Sequence, residues 1–213
     1  MNVLALDTAG PLPAVAVAAG GAVFEKELPA ERQASEKLLG AIQDTLTRAG
    51  LSLADCDRIA VCSGPGSFTG LRVGLSTAWG LGRALGIPVE EVSTLEVLAE
   101  AARKPGLTAV TTVLDAGRGE VIAASFSLAG PRARSADSPV RIPTEQAAAL
   151  SAPLFDLPGG LLGGAGKAPA ISLARALALA VAGSPREDAG SGARVPRAIY
   201  SRPSAAEEKR GAP

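Results

Sequence analysis

Two stretches of this chain open in the same way, and that repetition constrains the fold more than any other feature. Residues 3–7, Val-Leu-Ala-Leu-Asp, form a short apolar run ending in Asp7-Thr8-Ala9-Gly10, and residues 108–114 form a β-rich run ending in Asp115-Ala116-Gly117. In the first half, residues 12–19, the turn Gly20-Gly21 and residues 22–28 read as a hairpin. Leu38, Leu39, Ile42 and Leu46 then recur at helical spacing over residues 35–49. In the second half, residues 120–128, a turn at Ala129-Gly130-Pro131 and a strand from Arg132 repeat the hairpin, and residues 144–150 repeat the helix in shorter form. Each half continues with a Gly-rich strand exit, residues 64–70 and 163–166, and a further helix, residues 71–85 and 168–182.

Such a duplication predicts an α/β chain with an actin-like (ASKHA, ribonuclease H-like) fold: two lobes with mixed sheets, the second lobe abbreviated. Strands at 58–63 and 89–92 and a helix at 94–103 complete the first lobe. The break at Lys104-Pro105-Gly106 places the lobes at 1–103 and 107–200, and the Pro-, Gly- and charge-rich end, 201–213, reads as a solvated or partner-ordered tail. A fold of this kind hosts many functions, so function has to be read from particular residues.

Histidine is absent from all 213 residues. Its absence removes the usual general base near neutral pH, the commonest nitrogen ligand for metals, and every Ser-His or Cys-His pair. Ser35, Ser67 and Thr69 therefore have no histidine to activate them as nucleophiles. Lys plus Arg and Asp plus Glu each total 21, so no net basic field holds a nucleic acid by counterion release. RNA contact is expected only through another component. Cys56 and Cys62 flank and enter a predicted strand and read as reduced, buried thiols. No apolar run reaches the roughly 18 residues of a membrane span, and the chain meets a charge by Asp7, so no transmembrane helix or signal peptide is expected. The expected location is cytoplasmic.

Three features could carry chemistry. Asp7, with Thr8, and Asp115 could hold a hydrated Mg²⁺ and a phosphate chain from opposite lobes, or each aspartate could simply cap a turn at a strand end. The loop Gly64-Pro-Gly-Ser-Phe-Thr-Gly70 lacks the Gly-Lys-Ser/Thr ending of a phosphate loop, and Pro65 removes an amide, which favours a strand-to-helix turn capped by Ser67 or Thr69. In the helix that follows, Gly70, Gly74, Ala78, Gly82 and Gly86 recur every four residues among Leu71, Leu75, Trp79 and Leu85. Its interior glycines Gly74, Gly80 and Gly82 cost about 3 kcal/mol of helix propensity, which close packing must offset. That packing is either within the chain or against a partner, and the apolar residues around the stripe leave both open. Glu96 and Glu120 read as isolated, solvated carboxylates.

Several of these segments together resemble the bacterial TsaB (YeaZ) family. They are residues 3–9, Ser35-Glu-Lys-Leu-Leu39, Ile59-Ala-Val61, Gly64-Pro-Gly-Ser-Phe-Thr-Gly-Leu-Arg-Val-Gly74, Val92-Ser-Thr-Leu-Glu96, residues 115–121 and the Pro-x-x-x-Tyr-x-Arg segment at 196–202. The run from Gly64 to Arg72 is the most specific of them. The resemblance implies a role in making threonylcarbamoyladenosine beside the tRNA anticodon, as a non-catalytic scaffold subunit. The catalytic partner it implies is a paralogous TsaD-like subunit carrying a His-x-x-x-His metal motif, with a TsaE-like ATPase acting on the pair and tRNA reached only through the complex. It implies no metal and no cofactor in the isolated chain, ATP or ADP with magnesium only in the assembly, a homodimer when no partner is present, and no membrane.

Carried over by position, the implied pairing surface is Ser35, Glu36, Leu38, Leu39, Ile42 and Leu46 on one helix, with Leu71, Arg72, Gly74, Leu75, Ala78 and Gly82 on the other. Two positions depart from the family pattern: Ala34 stands where a His is common before the Ser-Glu pair, and Gly117 precedes Arg118 where Asp-Ala-Arg is common. The competing expectations are a small actin-like ATPase or phosphotransferase using Asp7 and Asp115 with magnesium, or an inactive glycoprotease-like homologue.

Overall fold

The computed structural model describes residues 1–29, 32–150, 153–157 and 160–184, the side chains of 32–35 excepted. The expected segment 196–202 and the tail 201–213 lie outside these residues. The first half runs β1 (Val3–Asp7), β2 (Ala14–Ala19), β3 (Ala22–Glu27), α1 (Arg32–Arg48), β4 (Arg58–Cys62), α2 (Phe68–Leu85), β5 (Val89–Val92) and α3 (Thr94–Ala101). The second runs β6 (Ala109–Gly117), β7 (Glu120–Ser127), β8 (Arg134–Ser135), β9 (Val140–Pro143), α4 (Thr144–Ala147), β10 (Leu154–Leu157) and α5 (Leu173–Ala182).

The duplication is legible in the pairing. In the first sheet, order β3-β2-β1-β4-β5, β1 pairs antiparallel with its hairpin partner β2 and parallel with β4. In the second sheet, order β10-β6-β7-β8, β6 likewise pairs antiparallel with β7 and parallel with β10. Both β8 and β9 pair with β7, standing where β3 stands in the first sheet, and no described strand takes the place of β5. The fold is therefore actin-like and duplicated, with mixed sheets and a shorter second half. The strand expected from Arg132 is realised as two short strands, β8 and β9, and the strand implied by the Gly-rich exit at 163–166 is β10, which ends at Leu157.

All five residues of β1 are buried, since the first sheet is covered on both faces. Its two faces are sorted by size. Leu4, Leu6, Val15, Val17, Ile59 and Val61 join Leu38, Ile42 and Leu46 of α1 and Leu75 and Ala78 of α2 in one core. Ala5, Ala14, Ala16 and Ala60 face the other way and meet Ala174, Leu177 and Ala178 of α5, allowing a close helix-on-sheet approach. Although α5 lies in the second half of the sequence, it packs on β1, β2 and β3 and against α3. The cluster it belongs to also contains Val110, Leu114, Ala124 and Phe126 of the second sheet, so one apolar core runs across both halves.

Helix α2 begins at Phe68, three residues before the expected Leu71, because the Ser67 hydroxyl caps it by accepting from the Gly70 amide at 3.2 Å. It ends at Gly86, whose φ of 69° is the left-handed conformation that closes helices. Both cysteines are free and buried, as expected.

Candidate functional site: the acidic turn, the glycine loop and the outer flank of two helices

The parallel register that sets Leu6 beside Val61 brings the ends of β1 and β4 together, so the Asp7 turn and the Gly64–Gly70 loop meet. Asp7 is 1 % exposed. Its Oδ1 accepts from the amides of Ala9 at 3.0 Å and Gly10 at 3.1 Å, an Asx turn built by the side chain on its own backbone. Burial pushes the Asp7 carboxyl above the ordinary carboxylate range, against the lowering effect of the bonds from Gly10, Ala9 and the Cys62 thiol. The Cys62 thiol is in turn pushed up, first by burial and then by the charge of Asp7. This partnership of Asp7 with Cys62 escaped the sequence reading, because it arises only from the parallel pairing of two strands distant in sequence.

The turn and the loop are joined by direct bonds. The Thr8 hydroxyl donates to the Gly70 carbonyl at 2.6 Å, and the Ser67 amide donates to the Ala9 carbonyl at 2.9 Å. A Cβ at Gly70 would sit 1.8 Å from the Thr8 carbonyl oxygen, one at Gly66 2.5 Å from that of Ala9, and one at Gly74 2.3 Å from the Thr8 hydroxyl. Farther along, a Cβ at Gly82 would sit 2.4 Å from Val89 of β5. The small-residue stripe is thus the close approach of α2 to its own sheet. This corrects its placing on the pairing surface: Leu71, Gly74, Leu75, Ala78 and Gly82 face the chain's own core, as do Leu38, Ile42 and Leu46 of α1.

What these two helices present outward is a different set. Glu36 is exposed, Leu39 is 61 % exposed, and Leu85 is 44 % exposed. The side chain of Ser35 lies outside the described residues. The Arg72 guanidinium stacks 3.8 Å above the Phe68 ring, and Arg83 lies 5.9 Å over Trp79. Phe68, Arg72, Trp79 and Arg83 follow one another along one flank of α2, at the edge of its buried face. Phe68, Trp79 and Arg83 were missed as surface candidates because the glycine period drew attention to the opposite side.

Asp115 contrasts with Asp7. It is exposed and accepts from the Gly117 amide at 2.7 Å, which is again turn chemistry. Among the described residues no group of three or more His, Cys, Asp or Glu side chains is placed to hold a metal. No described helix is long and apolar enough to cross a membrane.

Glu96 is also not the solvated carboxylate expected of it. It accepts from Arg132 Nε at 2.7 Å, and burial raises its pKa while Arg132 pulls it back. Arg132, from the turn after β7, also reaches Glu90 of β5, which pairs with Arg58 at 2.8 Å. The pattern offered no signal for this network, whose members are far apart in sequence.

The family model described as TsaD, tRNA N6-adenosine threonylcarbamoyltransferase, matches residues 18–176. A solved structure from Pseudomonas aeruginosa, described as an uncharacterized protein with similarity to peptidase YEAZ, superposes with a TM-score of 0.65 at 34% identity, covering 73% of this chain and 74% of that one. The chain belongs to the TsaB (YeaZ) branch of this family.

The TsaB protein of Escherichia coli, a tRNA threonylcarbamoyladenosine biosynthesis protein by name, is 40% identical over 127 residues, 59% of this chain and 55% of the relative. The TsaB protein of Bacillus subtilis is 32% identical over 123 residues, 57% of this chain and 53% of the relative. The match therefore spans about half the length of these TsaB proteins. The structure named YeaZ from Pseudomonas aeruginosa covers more, 73% of this chain and 75% of that one, at 32% identity and a TM-score of 0.63.

Proposed function

We propose that this chain is a cytoplasmic accessory subunit of tRNA threonylcarbamoyladenosine synthesis, which pairs with a TsaD-like catalytic subunit and performs no transfer chemistry alone. The observation that carries the reading is the sealing of the Asp7 turn in a chain of the TsaB branch. Asp7, Thr8 and Ala9 are buried, and the Asp7 carboxyl, the Thr8 hydroxyl and the Ala9 amide and carbonyl are engaged within the turn or with the Gly64–Gly70 loop. The absence of histidine adds that no TsaD-type His-x-x-x-His motif exists in the chain. On this reading ATP or ADP with magnesium belongs to the assembled complex, a TsaE-like ATPase acts on the pair, and tRNA is reached through the complex. A homodimer of the lone chain would use the same helices and compete with the pair.

The pairing surface consists of what α1 and α2 leave outside: Glu36, Leu39, Arg72 and the flank of Trp79 and Arg83. Aromatic and arginine side chains on a flank of α2, together with an exposed leucine on α1, suit the anchor-and-rim arrangement of protein interfaces. Gly74→Leu and Leu75→Asp do not test this surface, because both strike the chain's own core. Leu39→Asp and Arg72→Glu do. Light scattering coupled to gel filtration on the chain, a TsaD-like subunit and their mixture should give a peak of heterodimer mass for wild type. Each variant should lower the affinity at least tenfold, about 1.4 kcal/mol, with an unchanged melting temperature. Full pairing by both variants would remove this surface from the reading, and ATP hydrolysis by the lone chain that Asp7→Asn abolishes would replace it with the enzyme.

A further inference from the structure

Besides the packing of α5 on the first sheet, the second half of the molecule grips the first through a charged cluster. Arg132 binds Glu90 of β5 and, at 2.7 Å, Glu96 of α3. Arg103 binds Glu100 at 2.8 Å and donates to the carbonyls of Leu128 at 2.8 Å and Gly130 at 3.1 Å. Glu100 also accepts from the Ala133 amide, and Arg58 completes the cluster on Glu90 at 2.8 Å. Residues 128–133, the turn leaving β7, are thus stapled to α3 and β5 by charge-assisted bonds. Three arginines and three glutamates balance one another. Arg58 and Glu100 are 5% and 8% exposed, so water screens their bonds weakly.

Helix α3 leads on to the glycine loop. The Thr94 amide at its first turn donates to the Gly64 carbonyl at 2.7 Å, and the Ser63 amide donates to Val92 of β5 at 2.9 Å. Residues 64–70 are the segment that caps α2 and joins it to the Asp7 turn. An unbroken path of short bonds therefore runs from the β7 turn, through α3 and β5, to the start of α2.

We infer that the abbreviated second half is a brace for α2: the Arg132–Glu90–Glu96 and Arg103–Glu100 clamp fixes α3 and β5, and through the Gly64 carbonyl it fixes the helix that presents Trp79 and Arg83. The brace is a property of the lone chain, and only its use in pairing rests on the accessory-subunit reading. Trp79 is the single tryptophan of the chain and stands on α2, so it reports on the braced helix without a label.

The test compares wild type with Arg132→Met, which keeps the aliphatic stem and removes the charge. Hydrogen exchange is followed at residues 128–133 and at 64–71, with acrylamide quenching of Trp79 on the same samples. Exchange should quicken about tenfold in both segments, and quenching should roughly double, at a temperature where the variant stays folded. Should Arg132→Met fail to fold, Glu96→Gln, which retains an acceptor for Arg132, is measured in the same way and should shift the same readouts in the same direction by a smaller factor. Faster exchange at 128–133 alone, with 64–71 and Trp79 unchanged, overturns the brace and leaves the clamp a local staple. Unchanged exchange everywhere overturns it too. Because no partner is present, loss of pairing by Leu39→Asp cannot imitate either result.

Discussion

The acidic turns that open the two halves share a sequence pattern and differ in nearly everything physical. Asp7 is 1 % exposed, bonds two amides and sits beside Cys62, while Asp115 is exposed and bonds one. The difference follows from what comes next in each sheet. After β4 the chain makes a glycine loop that docks on the Asp7 turn, with Gly70 and Gly66 too close to Thr8 and Ala9 to carry a side chain. Around the Asp115 turn, Gly117 has nothing within 4 Å of where its Cβ would be. A duplicated motif has become a weld in one half and a solvated turn in the other.

The largest test of that contrast is a pair of alanines. Gly70→Ala must push the Thr8 carbonyl away, and with the modest gain in helix propensity set against it the loss should be about 3 kcal/mol. In a chain of this length that lowers Tm by roughly 9 °C. Gly117→Ala meets no neighbour and bears only the strain of an alanine at φ 73°, about 1 kcal/mol or roughly 3 °C. Calorimetry on both decides the matter. Equal shifts would mean that the weld is looser than its distances indicate.

A finer test uses pH. The folded-state pKa of Asp7 is raised, chiefly by burial, so the native state holds its proton in a range where the unfolded chain has lost it. The stability this group contributes is fully present below the ordinary carboxylate value, is lost as pH rises through the folded value, and is constant above it. Asp7→Asn keeps an oxygen for the Ala9 and Gly10 amides but cannot titrate. The stability of the variant relative to wild type should therefore rise with pH across that window and then level off. Denaturant titrations from pH 3 upward give the difference curve. A flat difference, or one of opposite slope, would show that Asp7 is not held in a desolvated site.

Much of this was legible in the sequence. The strand before Asp7 and β5 match their predicted limits, because short apolar runs bounded by turn residues admit few alternatives. The stripe at Gly70, Gly74 and Gly82 announced a close approach but not its partner, which turned out to be Thr8 and Val89 of the same chain. One-dimensional spacing fixes a helix face without saying what lies against it. Residues that meet only through tertiary pairing, such as Cys62 with Asp7 or Arg132 with Glu96, leave no local trace. The packing of α5 on the first sheet was hidden for the same reason: its alanines look like ordinary helix formers until Ala14, Ala16 and Ala60 are set against them.

The smallest expected effect sharpens the comparison from its other side. Asp115→Ala removes one bond, to the Gly117 amide, from a turn where water can replace it at once. Stability should stay within about 0.5 kcal/mol of wild type, as for most surface substitutions. The same change at Asp7 strands the amides of Ala9 and Gly10 in a buried turn, so Asp7→Ala should lose about 2 kcal/mol. If the proposed pairing with a TsaD-like subunit is also unchanged in Asp115→Ala, the second turn has no part in that pairing. If Asp115→Ala weakens pairing while stability is unchanged, the exposed carboxylate meets a partner group, and the solvated turn is a contact site that the buried one cannot be.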